Sequence, residues 1–183
     1  MQDIKKIKII VGLGNPGEKY AATYHNAGIL FIDYLIDKIP AKIKIQKLKI
    51  KNSEFIKFNS LIFAKPLIFM NESGKAVKAA LDYFKLKPGE MLIAHDDSDI
   101  ELGKYKISFA RGSAGHKGIE SIIKSLGTKN FWRLRIGIRN KKATGYRLQA
   151  TRLKAGELVL KKIKKDDWIT LQKVFEIIEA QLR

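Results

Sequence analysis

No cysteine occurs in the 183 residues, which excludes disulfides, thiolate nucleophiles and cysteine zinc sites together and is compatible with a reducing compartment. Long apolar runs are missing as well. None approaches the roughly 18 residues of a membrane span. Ile7 to Leu13, behind Lys5 and Lys6, is too short for a secretory core and lacks a cleavage site after it. A cytosolic location away from membranes is the expectation. Proline is scarce, at four residues, and no Pro/Gly linker, low-complexity segment or internal repeat divides the chain. At this length the expectation is a single domain over residues 1–183, large enough to bury about 70% of its unfolded surface around one core. Acidic residues are half as numerous as basic ones, 18 against 36, giving a formal charge of +18. The basic residues run from Lys5 to Arg183 instead of forming one tail. Such a surface suits an anionic polymer, nucleic acid ahead of a membrane surface.

What is present alternates between strand and helix patterns. Ile7 to Val11 has the character of a buried strand, and Ala27 to Ile39 places apolar residues at helical spacing up to Pro40. "AKIKIQKLKI" alternates apolar and basic residues, and "SEFIKF" and "SLIFAKP" flank an Asn59-Ser60 turn; together they predict antiparallel strands at a sheet edge with lysines facing water. Ser73 to Phe84 is helical, ended by "KLKPGE"; "MLIAHDD" is a buried strand opening into a loop; "GKYKISFA" is a further strand. "GIESIIKSLG" and "FWRLRIGI" repeat the alternation, and a last helix starts at Asp166 or Asp167, its acidic residues at the positive N-terminal end. The class is α/β.

"GLGNPG" carries a Gly-x-Gly-x-x-Gly spacing at Gly12, Gly14 and Gly17. A dinucleotide fingerprint needs its third glycine in the first turn of the following helix and an acidic residue about 20 positions on, at a strand end. Here Pro16 and Gly17 suit the centre of a type II turn, the periodic helix starts only near Ala27, and Asp37 falls inside that helix. A nucleotide-cofactor enzyme is therefore a minor reading. The turn instead presents Asn15 and "EKYAATYHN" at the carboxyl end of a central strand, where open α/β sheets place ligands.

The three histidines, His25, His95 and His116, all fall in loop or strand-end contexts. Any one of them could be a capping or packing residue. After the apolar strand Met91 to Ala94, Asp96 is expected to emerge at the same sheet edge as Asn15, where a carboxylate can orient an imidazole and favour its basic form. Two histidines and a carboxylate could also hold zinc. No ligand spacing supports a metal, so it ranks below a metal-free base. Ser73, Ser98 and Ser113 lack the strand-to-helix elbow of a serine hydrolase.

The segments "GLGNPGEKYAATYHNAG", "KPLIFMNESGKAV", "AHDDSDIELGK", "GSAGHKGIESIIKSLGT" and "FWRLRIGI", in that order and spacing, resemble the successive motifs of bacterial-type peptidyl-tRNA hydrolases from Ile7 to about Ile138. The resemblance implies a monomeric single-domain α/β protein with a mixed sheet between helices. It also implies hydrolysis, without metal or other cofactor, of the ester joining a peptide to the 3′ end of tRNA. On that resemblance His25 matches the base that takes a proton from water and Asp96 the carboxylate that holds it. Asn15 matches the residue that separates peptidyl from free aminoacyl esters. Tyr20, Phe69 and Asn71 match the cleft for the tRNA 3′ end and peptide, with Met70 beside them, and His116 and Lys117 lie in the matching substrate-binding segment. Aromatic faces that stack bases and carboxamides that stabilise an oxyanion suit such a substrate. Phe69 and Met70 could equally be core, and Asn71 could be a helix N-cap before "ESGKAVKAAL".

Three features depart from the family pattern. Tyr24 stands where Arg is usual, Lys117 where Asn is usual, and after Ile138 the strongly basic "RNKKATGYRLQATRLKAGELVLKKIKK" replaces the usual ending. Lys117 cannot accept a hydrogen bond, though it can meet a phosphate. Lys104, Lys106, Arg111, Arg133, Arg135, Arg139, Lys141 and Lys142 are further candidates for phosphate contact. A non-catalytic RNA-binding protein and a hydrolase of another ester or amide are the alternatives. The joint presence of Asn15, His25, Asn71 and Asp96 favours the enzyme, because RNA binding alone needs no base.

Overall fold

The computed structural model describes residues 4–139 and 155–182. At its centre is Ile9–Gly12 (β1), every residue of which is buried. Successive side chains of a strand point to opposite faces. Ile9 and Val11 accordingly enter one apolar cluster and Ile10 the other. A run apolar on both faces is what a strand covered by helices on both sides requires.

The remaining elements are Ala27–Asp37 (α1), Gln46–Ile50 (β2), Ser53–Phe58 (β3), Leu61–Pro66 (β4), Ser73–Phe84 (α2), Met91–Glu101 (β5), Tyr105–Phe109 (β6), Lys117–Leu126 (α3), Trp132–Arg139 (β7), Ala155–Val159 (α4) and Lys165–Leu182 (α5). Among the described residues the strands form one seven-stranded sheet in the order β2-β3-β4-β1-β5-β7-β6. The four central strands β4, β1, β5 and β7 are parallel. Antiparallel pairing of β2, β3 and β4 at one edge and of β6 with β7 at the other makes the sheet mixed. Helices α2 and α3 pack on one face through Val77, Ala80, Leu81, Ile119 and Ile122. On the other face α1 and α5 pack through Phe31, Ile32, Leu171, Val174, Phe175 and Ile178.

The glycine spacing serves this packing. A Cβ on Gly12 would lie 2.3 Å from the Gly28 carbonyl oxygen, and one on Gly28 would lie 2.2 Å from that of Ala94, so the α1 backbone rests directly on β1 and β5. Gly17 has φ +95° with open space around it, as the second central position of a type II turn requires.

Several boundaries differ from the sequence-based expectation. Helix α1 stops at Asp37, short of Ile39. Only the second half of "AKIKIQKLKI" pairs as β2, with Lys47 and Lys49 exposed. "GKYKISFA" is trimmed to Tyr105–Phe109, because Ala110 turns into the left-handed region at φ +54°. The largest difference is in β5, which continues through the polar residues His95, Asp96 and Asp97 to Glu101 instead of ending at Ala94.

Candidate active site

The extension of β5 creates the site. Strand β1 makes its last pairing at Gly12 with Ala94, whereas β5 stays paired with β7 through Asp97 with Gly137 and, past an irregularity, at Glu101 with Arg139. Beyond Ala94 the β1-side edge of β5 is thus open, and the loop that follows β1 delivers its polar residues there. His25 lies in the one-turn 3-10 helix Tyr24–Asn26, all three residues of which are buried. Its Nδ1 is 2.8 Å from Asp96 Oδ1.

His116 faces the same oxygen, with Nε2 3.0 Å from Asp96 Oδ1. The proton positions follow from its other nitrogen. His116 is the N-cap of α3, and its Nδ1 accepts from the backbone N–H groups of Gly118 at 3.1 Å and Ile119 at 3.3 Å. A nitrogen that accepts two N–H bonds carries no proton, so the proton of the neutral ring is on Nε2, which donates to Asp96. Asp96 Oδ1 therefore accepts from both rings, and with Nδ1 donating, the neutral form of His25 has its lone pair on Nε2. Burial alone would raise the Asp96 carboxyl, but the facing imidazoles of His116 and His25 outweigh it and hold the group well below the usual carboxylate range. His25, Asp96, Asp97, Ser98, His116 and Lys117 line a cleft of about 310 Å³, whose far wall includes Gly156 and Val159 of α4.

The inward atoms of His25, Asp96 and His116 lie within 4.8 Å of one another, a spacing that a metal could share. The capping bonds of His116 oppose that use. Binding a cation through Nε2 while Nδ1 accepts two N–H bonds would require an imidazolate. The geometry suits two proton-mediated contacts to one carboxylate.

His95 is nearly solvent-free and separate from this cleft. Its Nδ1 donates to the Asp96 carbonyl at 2.6 Å, and Nε2 has no partner. Burial, then His116, push its pKa well below the ordinary imidazole value, so it stays neutral.

Asn15 is held at three points. Asn26 Oδ1 accepts from its backbone N–H at 2.8 Å, Asn26 Nδ2 donates to its carbonyl at 3.0 Å, and its own Oδ1 accepts from Met70 N–H at 2.8 Å. One of the two lone pairs of Oδ1 is thus taken by Met70 N–H, and the NH₂ is the carboxamide's donor toward a ligand. Tyr20 and Phe69 meet edge to face with centroids 6.3 Å apart, and Phe69 is 51% exposed.

Of the two readings of Met70, burial favours core packing: it is 4% exposed, its Sδ lies 2.4 Å from where a Cβ on Gly118 would stand, and its backbone N–H meets Asn15 Oδ1. The capping expectation for Asn71 needs correction. Asn71 does not cap α2: it sits inside the 3-10 turn Met70–Glu72, exposed, and Glu72 occupies the capping position. Lys117 opens α3 on the cleft rim, with Nζ 3.3 Å from Glu120. Asn26, which pins Asn15, was not singled out in the sequence although it adjoins His25. Neither was the donation of the Tyr24 hydroxyl to Asp167, which joins positions 143 residues apart.

Of the candidate phosphate contacts, Lys106, Arg111 and Arg135 line one groove beside the cleft, with Arg133 in its wall at 2% exposure. Arg135 Nε also donates to Asp97 Oδ2 at 2.7 Å. Lys104 pairs with Glu101 at 2.8 Å. Lys141 and Lys142 lie outside the described residues.

Fold and site together define a single-domain α/β protein with a buried imidazole–carboxylate pair facing a cleft beyond the carboxyl end of its central strand. The family model of peptidyl-tRNA hydrolase matches residues 9–183, and the chain belongs to that family. A peptidyl-tRNA hydrolase of Aquifex aeolicus is 44% identical over 139 residues, covering 72% of this chain and 69% of that protein. One from Mycoplasmopsis synoviae is 45% identical over 132 residues, with coverage of 72% and 69%. The crystal structure of peptidyl-tRNA hydrolase from Acinetobacter baumannii superposes with a TM-score of 0.80 at 28% identity, covering 100% of this chain and 89% of that chain. Among the described residues no helix is long and apolar enough to cross a membrane.

Proposed function

We propose that this chain hydrolyses the ester between a peptide and the 3′ end of tRNA, with His25 as the general base and Asp96 as the carboxylate that orients it. His25 Nε2 takes a proton from a water whose oxygen attacks the ester carbonyl carbon. The resulting imidazolium is stabilised by ionised Asp96, and it returns the proton to the ribose oxygen as the ester C–O bond breaks. His116, donating to the same carboxylate oxygen, keeps Asp96 charged and in place. Positioned proton transfer of this kind contributes roughly 10² to 10⁴ in rate.

The NH₂ of Asn15 is suited to donate to the first peptide carbonyl. A free aminoacyl ester presents an ammonium there, which has only donors and finds at Asn15 only a neutral oxygen already shared with Met70 N–H. Tyr20 and Phe69 offer stacking faces for the unpaired 3′ bases, and Asn71 and Lys117 offer a carboxamide and a cation at the rim. The groove of Lys106, Arg111 and Arg135 suits the tRNA backbone. A monomer acting in the cytoplasm fits this reading.

The observation that carries the proposal is the 2.8 Å contact of His25 Nδ1 with an Asp96 oxygen already fixed by His116. Incubation of purified protein with N-acetylaminoacyl-tRNA, with and without a chelator, tests it. Release of N-acetylamino acid unaffected by the chelator is expected. No release, or release abolished by the chelator, would refute it.

A further inference from the structure

His25 sits on a structure with little stability of its own. A three-residue 3-10 turn forms few internal hydrogen bonds, and Thr23, at its N-cap, makes no side-chain capping bond. The orientation of the ring therefore depends on what holds its two neighbours. On one side Asn26 is locked to the Asn15 backbone by two hydrogen bonds. On the other, Tyr24 is 5% exposed and its hydroxyl donates to Asp167 Oδ2 in the first turn of α5.

The backbone around Tyr24 is tied to the same C-terminal region. Tyr24 N–H donates to the Lys161 carbonyl at 3.2 Å, and Ile163 N–H donates to the Ala22 carbonyl at 2.8 Å. Thr23 and Lys162 form an antiparallel bridge. Residues 161–163 thus lie alongside residues 22–24 as a short two-stranded clamp, with α4 before it reaching the cleft and α5 after it carrying Asp167. Burial of the Tyr24 ring and its bond to Asp167 raise the phenol to about 12, so the hydroxyl remains a donor throughout the neutral range.

We infer that Tyr24 and Asp167 are positioning residues for the reaction: their hydrogen bond fixes the turn that aims His25 Nε2 at the attacking water. The inference rests on the reading of His25 as the base. Neither residue lines the cleft with His25 and Asp96. The pair acts through geometry, and a small misplacement of a catalytic group is enough to cost up to about 10² in rate.

The test compares full-length wild type, Tyr24→Phe, Asp167→Ala, Asp167→Asn and the double variant Tyr24→Phe/Asp167→Ala, measuring kcat and KM on N-acetylaminoacyl-tRNA, with His25→Ala as control. The expected result is a five-fold or greater fall in kcat for Tyr24→Phe and Asp167→Ala with KM within two-fold of wild type. The double variant should be no worse than the poorer single one, and Asp167→Asn, which keeps an acceptor for the phenol, should retain most of kcat. A merely structural role would lower the folded fraction without this rescue by the conservative variant. Asp167 is only half-buried, so its variants carry the test if Tyr24→Phe does not fold. Wild-type kcat in Asp167→Ala, additive losses in the double variant, or no rescue by Asp167→Asn would overturn the inference. Full activity in His25→Ala would instead overturn the reading of the base, separating the two failures.

Discussion

At the scale of single residues, Asn15 shows how much depends on which of two atoms is already occupied. Its Oδ1 already accepts from Met70 N–H, and on the proposed reading the NH₂ is the discriminating group. Asn15→Asp keeps an oxygen for Met70 N–H and puts a second, anionic oxygen where the donor was. That oxygen repels a peptide carbonyl and attracts an ammonium, with a charge-assisted bond worth about 1.5 to 3 kcal/mol. The ratio of kcat/KM for unblocked over N-acetylated aminoacyl-tRNA should therefore rise about ten-fold or more, since each 1.4 kcal/mol is a decade; an unchanged ratio would remove Asn15 from the selectivity. The sequence made His25, Asp96 and Asn15 visible through the order of their motifs. It left Met70 open between core and cleft, because an apolar residue beside a site has the same spacing in either role, and it gave no sign that its backbone N–H would meet Asn15. Nor could it show His116 serving as helix cap and carboxylate partner at once, since both depend on where each ring nitrogen points.

At the scale of elements, the course of β5 explains the site, and here the sequence misled. His95, Asp96 and Asp97 look like the start of a loop by composition, yet they continue the ladder with β7, and the polar side chains are accommodated because β1 has ended alongside. Helix α1 is placed by backbone contact: Gly28→Ala would put a Cβ 2.2 Å from the Ala94 carbonyl oxygen. Overpacking of this kind costs about 1 to 3 kcal/mol, and a lowering of Tm by several degrees in a thermal melt is expected. An unchanged Tm would mean that α1 can move off the sheet. The clamp between residues 22–24 and 161–163 has a pH signature. The Tyr24 pKa is raised in the folded protein from 10.0 to about 12. A raised folded value means that the stabilisation is complete below pH 10 and is lost as pH rises through 12. A spectroscopic titration should show a late-ionising tyrosine step, and Tyr24→Phe should abolish it. Ionisation of all tyrosines near pH 10 would contradict the anchor.

At the scale of the whole molecule, a charge of +18 spread over a single domain was legible in the composition, and so was the alternation that builds the layered α/β sheet. The placement of charge was not, because ion pairs such as Lys104 with Glu101 and Arg135 with Asp97 arise only from the fold. If Lys106, Arg111 and Arg135 meet phosphates, tRNA affinity should fall with salt at a log–log slope of about −0.7 to −0.9 per contact. Replacing one contacting residue should reduce that slope by about 1. An affinity indifferent to salt would assign the charge elsewhere. All of this serves the claim that one imidazole, held by one carboxylate, activates water for ester hydrolysis. The most direct test is kcat of His25→Ala on N-acetylaminoacyl-tRNA, beside wild type and with tRNA affinity measured in parallel. The account expects kcat to fall by about 10² to 10⁴ with tRNA affinity nearly unchanged; equal turnover in variant and wild type would contradict it.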